Sequence, residues 1–166
     1  MMHRRNNRPI NLLGGRSFAQ VVANPSAETG TGEPDNWFHT LTGTEWATHG
    51  HSGNRSLRVN VANDLADWRS SPYPIVSGRK YRVDLWVKGT GAPEMILAAR
   101  WFSDLDGLNW ITEQWLVLDG IFNDWTHRSH IVTAPANALS GDLMFRAAFA
   151  TTADMYGDDF SVRRMN

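Results

Sequence analysis

The chain has 166 residues, with 16 Lys plus Arg against 17 Asp plus Glu and a formal net charge of -1, a balance that excludes a chain-wide electrostatic binder of nucleic acid. A 42% hydrophobic and 20% charged composition excludes a disordered chain. The absence of Cys removes disulfides, thiolate metal sites and Cys nucleophiles, and no apolar run approaches the ~20 residues of a membrane-spanning helix.

The first segment, roughly residues 1–22, contains no acidic residue. Arg4, Arg5 and Arg8 are followed by the scattered apolar residues Ile10, Leu12, Leu13 and Phe18. It lacks the apolar core of a secretory signal and the amphipathic face of a transit peptide. It reads as an extended arm, with "FAQVVA" able to add one strand, ahead of a domain over residues 23–166. Three arginines are too few for a strong nucleic-acid tether, because affinity scales with the phosphates contacted.

From residue 56 the apolar period is two. "SLRVNV" places Leu57, Val59 and Val61 on one face. "KYRVDLWVKG" places Tyr81, Val83, Leu85 and Val87 inward and Arg82, Asp84, Trp86 and Lys88 outward. "EMILAARWF" reads as a continuously buried strand, and "EQWLVLDG", "DWTHRSHIVTA", "GDLMFRAAFA" and "DDFSVRR" complete the series. The intervening "SSPYPIVSG", "KGTGAP", "SDLDGLNW", "DGIFND", "APANALSG" and "ATTADMYG" read as turns, and "VANDLAD" as a helical turn. Many short, evenly spaced strands imply an all-β sandwich or barrel.

Four pieces occur in a telling order: Asn24, Pro25, Ser26, Glu28, Gly30 and Trp37; His51, Ser52, Gly53, Ser56 and Leu57; Gly78, Tyr81, Val83, Trp86, Val87 and Lys88; and Asp158, Asp159, Phe160, Ser161 and Val162. Together they resemble the jelly-roll carbohydrate-binding modules of the family 4/9/22-like group, over about residues 23–163. Ala27 departs from the pattern, which usually has Phe there. The resemblance implies a jelly-roll β-sandwich of two antiparallel sheets. It also implies one structural calcium, with Glu28, Ser52, Asn54, Asp158 and Asp159 as ligands. Carboxylates and turn oxygens suit that hard cation, and the ordinary alternative is that they cap backbone N–H groups or pair with Arg.

Eight Trp are present. Trp86 lies on the polar side of its strand beside Arg82, and Trp101, Trp110 and Trp115 flank the "SDLDGLNW" hairpin; these five residues are the candidate glycan contacts. Packing is the ordinary use of any one Trp. His49, His51, His127 and His130 lack the companions of a metal site and suit turns and strand surfaces better. "GHSGN" only superficially resembles a nucleophile elbow, because a strand follows it. The chain reads as non-catalytic.

Two functions compete. The preferred expectation is a virion structural protein, a phage capsid decoration or cement protein. Its arm would dock on capsid or other virion subunits, and it would form a closed homo-oligomer, with a trimer as one option. The alternative is an extracellular carbohydrate-binding module whose partner is a polysaccharide or host glycan. Neither reading invokes a membrane.

Overall fold

The computed structural model describes residues 20–149 and 151–166. Every regular element among them is a strand: β1 (Gly30–Thr31), β2 (Glu33–Pro34), β3 (Trp37–His39), β4 (Thr44–Ala47), β5 (Ser56–Ala62), β6 (Ala66–Ser70), β7 (Tyr73–Pro74), β8 (Lys80–Ala92), β9 (Met95–Phe102), β10 (Trp110–Val117), β11 (Gly120–Thr133), β12 (Ser140–Ala147) and β13 (Thr152–Arg164). A five-stranded sheet runs β11-β8-β13-β5-β4. A six-stranded sheet runs β10-β9-β12-β6-β3, with β7 paired onto β12. All pairings are antiparallel. The short β1-β2 ribbon stands apart. The expected all-β jelly-roll sandwich is the observed fold.

Alternation sets the layers. In β8, Tyr81, Val83, Leu85 and Val87 are buried in the core, as their spacing predicts. In β9, Met95, Leu97, Ala99 and Trp101 face them, while Ile96 and Ala98 join Met144 of β12 in a separate cluster on the other side of the six-stranded sheet. Tyr81 and Trp101 meet between the sheets at 6.0 Å, and Phe145 meets Phe160 edge-on at 5.8 Å. Truncating any one of these rings would cost about 3–5 kcal/mol, through lost transfer energy and the cavity left behind.

Three expectations need correcting. "VANDLAD" holds no helical turn: β5 and β6 are joined by a tight turn in which Asn63 takes φ 57°. "KGTGAP", "DGIFND" and "ATTADMYG" are largely strand, because β8, β11 and β13 run on through them. The sandwich also begins earlier than residue 23. Gln20 donates Nε2 to Phe160 O and accepts from Val162 N, Val21 N donates to Val162 O, and Val22 is buried in the core. Arg4, Arg5, Arg8, Ile10, Leu12, Leu13 and Phe18, expected to form the docking arm, lie outside the described residues.

Candidate functional site: two outward sheet faces

The five expected glycan contacts do not share one surface. Trp101 is fully buried between the sheets, where alternation along β9 sends it inward, so it is a core residue. Arg82 and Trp86 project from β8 on the five-stranded sheet. Trp110 and Trp115 stand on β10, at the edge of the six-stranded sheet, and both are exposed.

Trp86 is not an open platform. His51 stacks on its ring at 3.8 Å and 10°, and His127 approaches at 5.4 Å. Trp125 abuts His51 edge-on at 5.9 Å. The stack is pinned by His51 Nδ1, 2.7 Å from Asp159 Oδ2.

The expected calcium ligands come together around the His51–Arg55 turn. Asp158 Oδ2 accepts the N–H groups of His51 (2.6 Å) and Ser52 (3.0 Å), and Oδ1 accepts that of Asp159 (2.7 Å). Glu28 Oε1 accepts from Asn54 N (2.9 Å) and Arg55 N (2.8 Å). Asp159 Oδ1 accepts from the hydroxyls of Ser26 (2.6 Å) and Ser52 (2.5 Å). Glu28 Oε1 and both oxygens of Asp158 and Asp159 are thus each bonded to a group of the chain. No group of three or more His, Asp or Glu able to hold a metal occurs among the described residues. The three carboxylates tie the His51–Arg55 turn to the segment just before β1 and to β13. Burial pushes the Asp158 carboxyl up to about 6, against the pull of its N–H donors. Asp159 is held below the usual carboxylate range: its bonds to His51, Ser26 and Ser52 outweigh its partial burial.

The outward face of the six-stranded sheet is built differently. Register sets Trp115 beside Ala98, Ala98 beside Met144, Met144 beside Arg69 and Arg69 beside Phe38, a row crossing all five strands of the main order. At about 4.8 Å per strand the row is roughly 19 Å wide. Phe38 and Trp115 are exposed at its two edges, with Trp110 further along β10. Between them lie two bidentate ion pairs. Arg100 Nε binds Asp142 Oδ1 at 2.7 Å while its Nη2 binds Oδ2; Arg69 binds Asp67 at 3.1 and 2.9 Å. Burial pushes the Asp142 carboxyl up, and the Arg100 guanidinium pulls it back. Thr40 Oγ1 donates to Asp67 at 3.0 Å, and Trp115 Nε1 donates to Glu113 at 2.6 Å. On this face Arg146 keeps a buried Nε with no hydrogen-bond partner.

Much of this face escaped the sequence reading. Asp67 fell in the stretch read as a helical turn and Arg100 in one read as continuously buried, and which strands neighbour one another was not legible at all. Only the sheet order makes them one surface.

No family model matches the chain. The chain is 30% identical over 151 residues to endo-1,4-beta-xylanase A of Thermoanaerobacterium saccharolyticum, covering 86% of this chain but 12% of that one. It therefore spans about an eighth of that relative's length. Among solved structures, the enzymatically active domain of bacteriophage CBA120 tailspike protein 4 superposes with a TM-score of 0.65 at 16% identity, covering 88% of this chain and 21% of that one. A family 16 carbohydrate-binding module gives a TM-score of 0.61 at 18% identity, with coverage of 86% and 98%. The CBM22-1 xylan-binding domain of Paenibacillus barcinonensis Xyn10C gives 0.58 at 14%, with coverage of 89% and 96%. The chain thus has the jelly-roll fold of carbohydrate-binding modules, and two of these modules match it over nearly their whole length.

Proposed function

We propose that the protein is a non-catalytic carbohydrate-binding module. In this reading it holds a β-1,4-linked polysaccharide such as xylan, outside the cell, on the outward face of its six-stranded sheet. One observation carries the proposal: two arginine–carboxylate pairs lie on this face between the exposed aromatic rings at its edges. A polysaccharide chain presents apolar ring faces and hydroxyls together. Trp115, Trp110 and Phe38 match the first, while the guanidinium groups of Arg69 and Arg100, held by the buried carboxylates of Asp67 and Asp142, match the second. Ion pairing pre-sets the polar groups, so little rotamer freedom is lost when the ligand arrives. The same pairing ties Asp67 and Asp142 to arginines, a holding role and not one of attack or proton transfer.

The xylanase relative and the xylan-binding neighbour support the choice of polymer. The virion expectation rested on the arm, and the likeness to whole carbohydrate-binding modules favours the polysaccharide reading over it.

The test is affinity electrophoresis and calorimetry on xylan, cellulosic β-glucan and β-1,4-galactan. Trp115→Ala is expected to weaken binding roughly tenfold, the worth of one aromatic contact, while Trp86→Ala leaves binding of the neutral polymers intact. Undiminished binding by the Trp115 variant, or no retention of the unaltered protein on any polymer, would overturn the proposal.

A further inference from the structure

The opposite, five-stranded sheet holds a second feature that the polysaccharide row does not use. On its outward face, Arg82, Asp84 and Trp86 follow one another along β8. Register sets Asp84 between Ser129 of β11 and Ser161 of β13, and Arg82 beside Arg163. The result is a cup of about 170 Å³. Asp84 and Ser161 form its floor. Arg82 and Arg163 form one wall; Trp86 and His127 form the other, with Asp159 at that end. This volume is well below the ~300 Å³ at which ordinary ligand pockets start, so it suits one small ring.

The polar groups of the cup are not closed among themselves. Asp84 is 6% exposed. Its Oδ2 accepts from Arg82 Nε and Ser161 Oγ, both at 3.1 Å. Its Oδ1 is buried with no hydrogen-bond partner; His127 Nε2 lies 3.3 Å away, an ion pair only when that imidazole is protonated. A buried carboxylate oxygen left open in this way costs on the order of 1–3 kcal/mol, and a donor arriving from a ligand would recover it. On the facing wall, Arg163 is exposed and its side chain has no ion pair or hydrogen bond among the described residues, and the Arg82 side chain commits only its Nε. A ligand that satisfies the cup therefore brings a hydroxyl donor for the floor and an anion for the wall. Asp159, at the far end, is already satisfied by His51, Ser26 and Ser52, so it does not compete for the arginines.

We propose that this cup is a second binding site, which takes a single acidic sugar ring, a uronate. Its carboxylate lies on Arg163 and the terminal nitrogens of Arg82, and one hydroxyl donates to Asp84 Oδ1. Guanidinium groups are the side chains best matched to a carboxylate. Trp86, with one ring face under His51, offers the sugar an edge and not a platform. The site is independent of the polysaccharide row and stands or falls without it.

The experiment titrates the intact chain with glucuronate and galacturonate, with glucose and acetate as controls, by NMR chemical-shift mapping. A uronate is expected to bind with a Kd of about 1–10 mM, as befits one small ring, shifting the resonances of Trp86 and its neighbours, while glucose and acetate bind at least several-fold more weakly. Arg163→Gln and Asp84→Asn each weaken uronate binding roughly tenfold. Trp115→Ala leaves uronate binding unchanged, and Arg163→Gln leaves retention on neutral polysaccharide unchanged. The proposal is overturned if no uronate binds. Acetate or glucose binding as tightly as the uronate overturns it too, as does an Arg163→Gln variant that binds like the parent. Any of these with polysaccharide retention intact leaves the reading of the other face standing.

Discussion

Asp158 shows how one residue can serve the fold at an electrostatic cost. It is fully buried and accepts three backbone N–H groups, yet burial still lifts its carboxyl to about 6. In the unfolded chain the same group titrates near 3.9. Between those values the folded state holds the proton and the unfolded state does not, so stability falls as pH rises from about 4 to 6. A two-unit difference corresponds to no more than about 3 kcal/mol. Asp159 has the opposite sign in a lower window. Its depressed carboxyl adds stability above its ordinary range, and that stability is lost as pH falls below about 4. Asp158→Asn keeps the shape and an acceptor for the His51 and Ser52 N–H groups, but it cannot titrate. The expected outcome is a melting temperature whose fall between pH 4 and 6 is shallower than the parent's. Parallel curves for the two proteins over that range would refute the assignment. If the carboxylates around the His51–Arg55 turn are occupied as described, adding calcium to chelator-treated protein leaves the melting temperature where it was.

At the scale of elements, the strands were legible where side chains alternate and illegible where glycine interrupts them. The first part of β8 followed from its apolar period and β9 from its unbroken apolar run. The first half of β13 did not, because "ADMYGDD" carries turn residues in a strand. Its Gly157 is there for space: a Cβ at that position would stand 2.7 Å from Phe160 Cζ and 3.2 Å from the Phe145 ring. Gly89 in β8 answers a similar constraint, since a Cβ there would fall 2.0 Å from Asp154 O. Tertiary approach selects Gly157, and at Gly89 it acts together with a positive φ of 118°; a sequence window contains no record of the close approach. Gly157→Ala is therefore expected to destabilise the protein by about 1–3 kcal/mol through overpacking, read as a lower midpoint in urea unfolding with an unchanged slope. Gly78→Ala, where a Cβ would meet nothing within 4 Å, is expected to cost only the roughly 1 kcal/mol of strain at φ 69°. Equal losses at the two positions would show that backbone strain, not packing, sets the cost.

At the scale of the whole molecule, the sandwich separates two kinds of recognition. The candidate contacts looked like one site in the sequence because Trp86 and the Trp101–Trp115 group lie close along the chain. The sheets divide them: β8 and β10 belong to opposite layers, and Trp101 fills the space between. Facing sheets pack about 10 Å apart, and the outward side chains add to that distance, so the two faces share no contact through which a ligand on one would be felt on the other. Two consequences are measurable with a polymer that carries uronate branches on a neutral backbone. Trp115→Ala and Arg163→Gln should each weaken binding, and their combination should act on a polymer too short to reach around the sandwich as the sum of the two free-energy losses, within about 0.5 kcal/mol. On a long polymer the two faces can be engaged by one chain, and the second contact becomes intramolecular. The double variant should then lose more on the long polymer than on the short one. Additive losses that do not depend on polymer length would mean that the two faces never engage one chain.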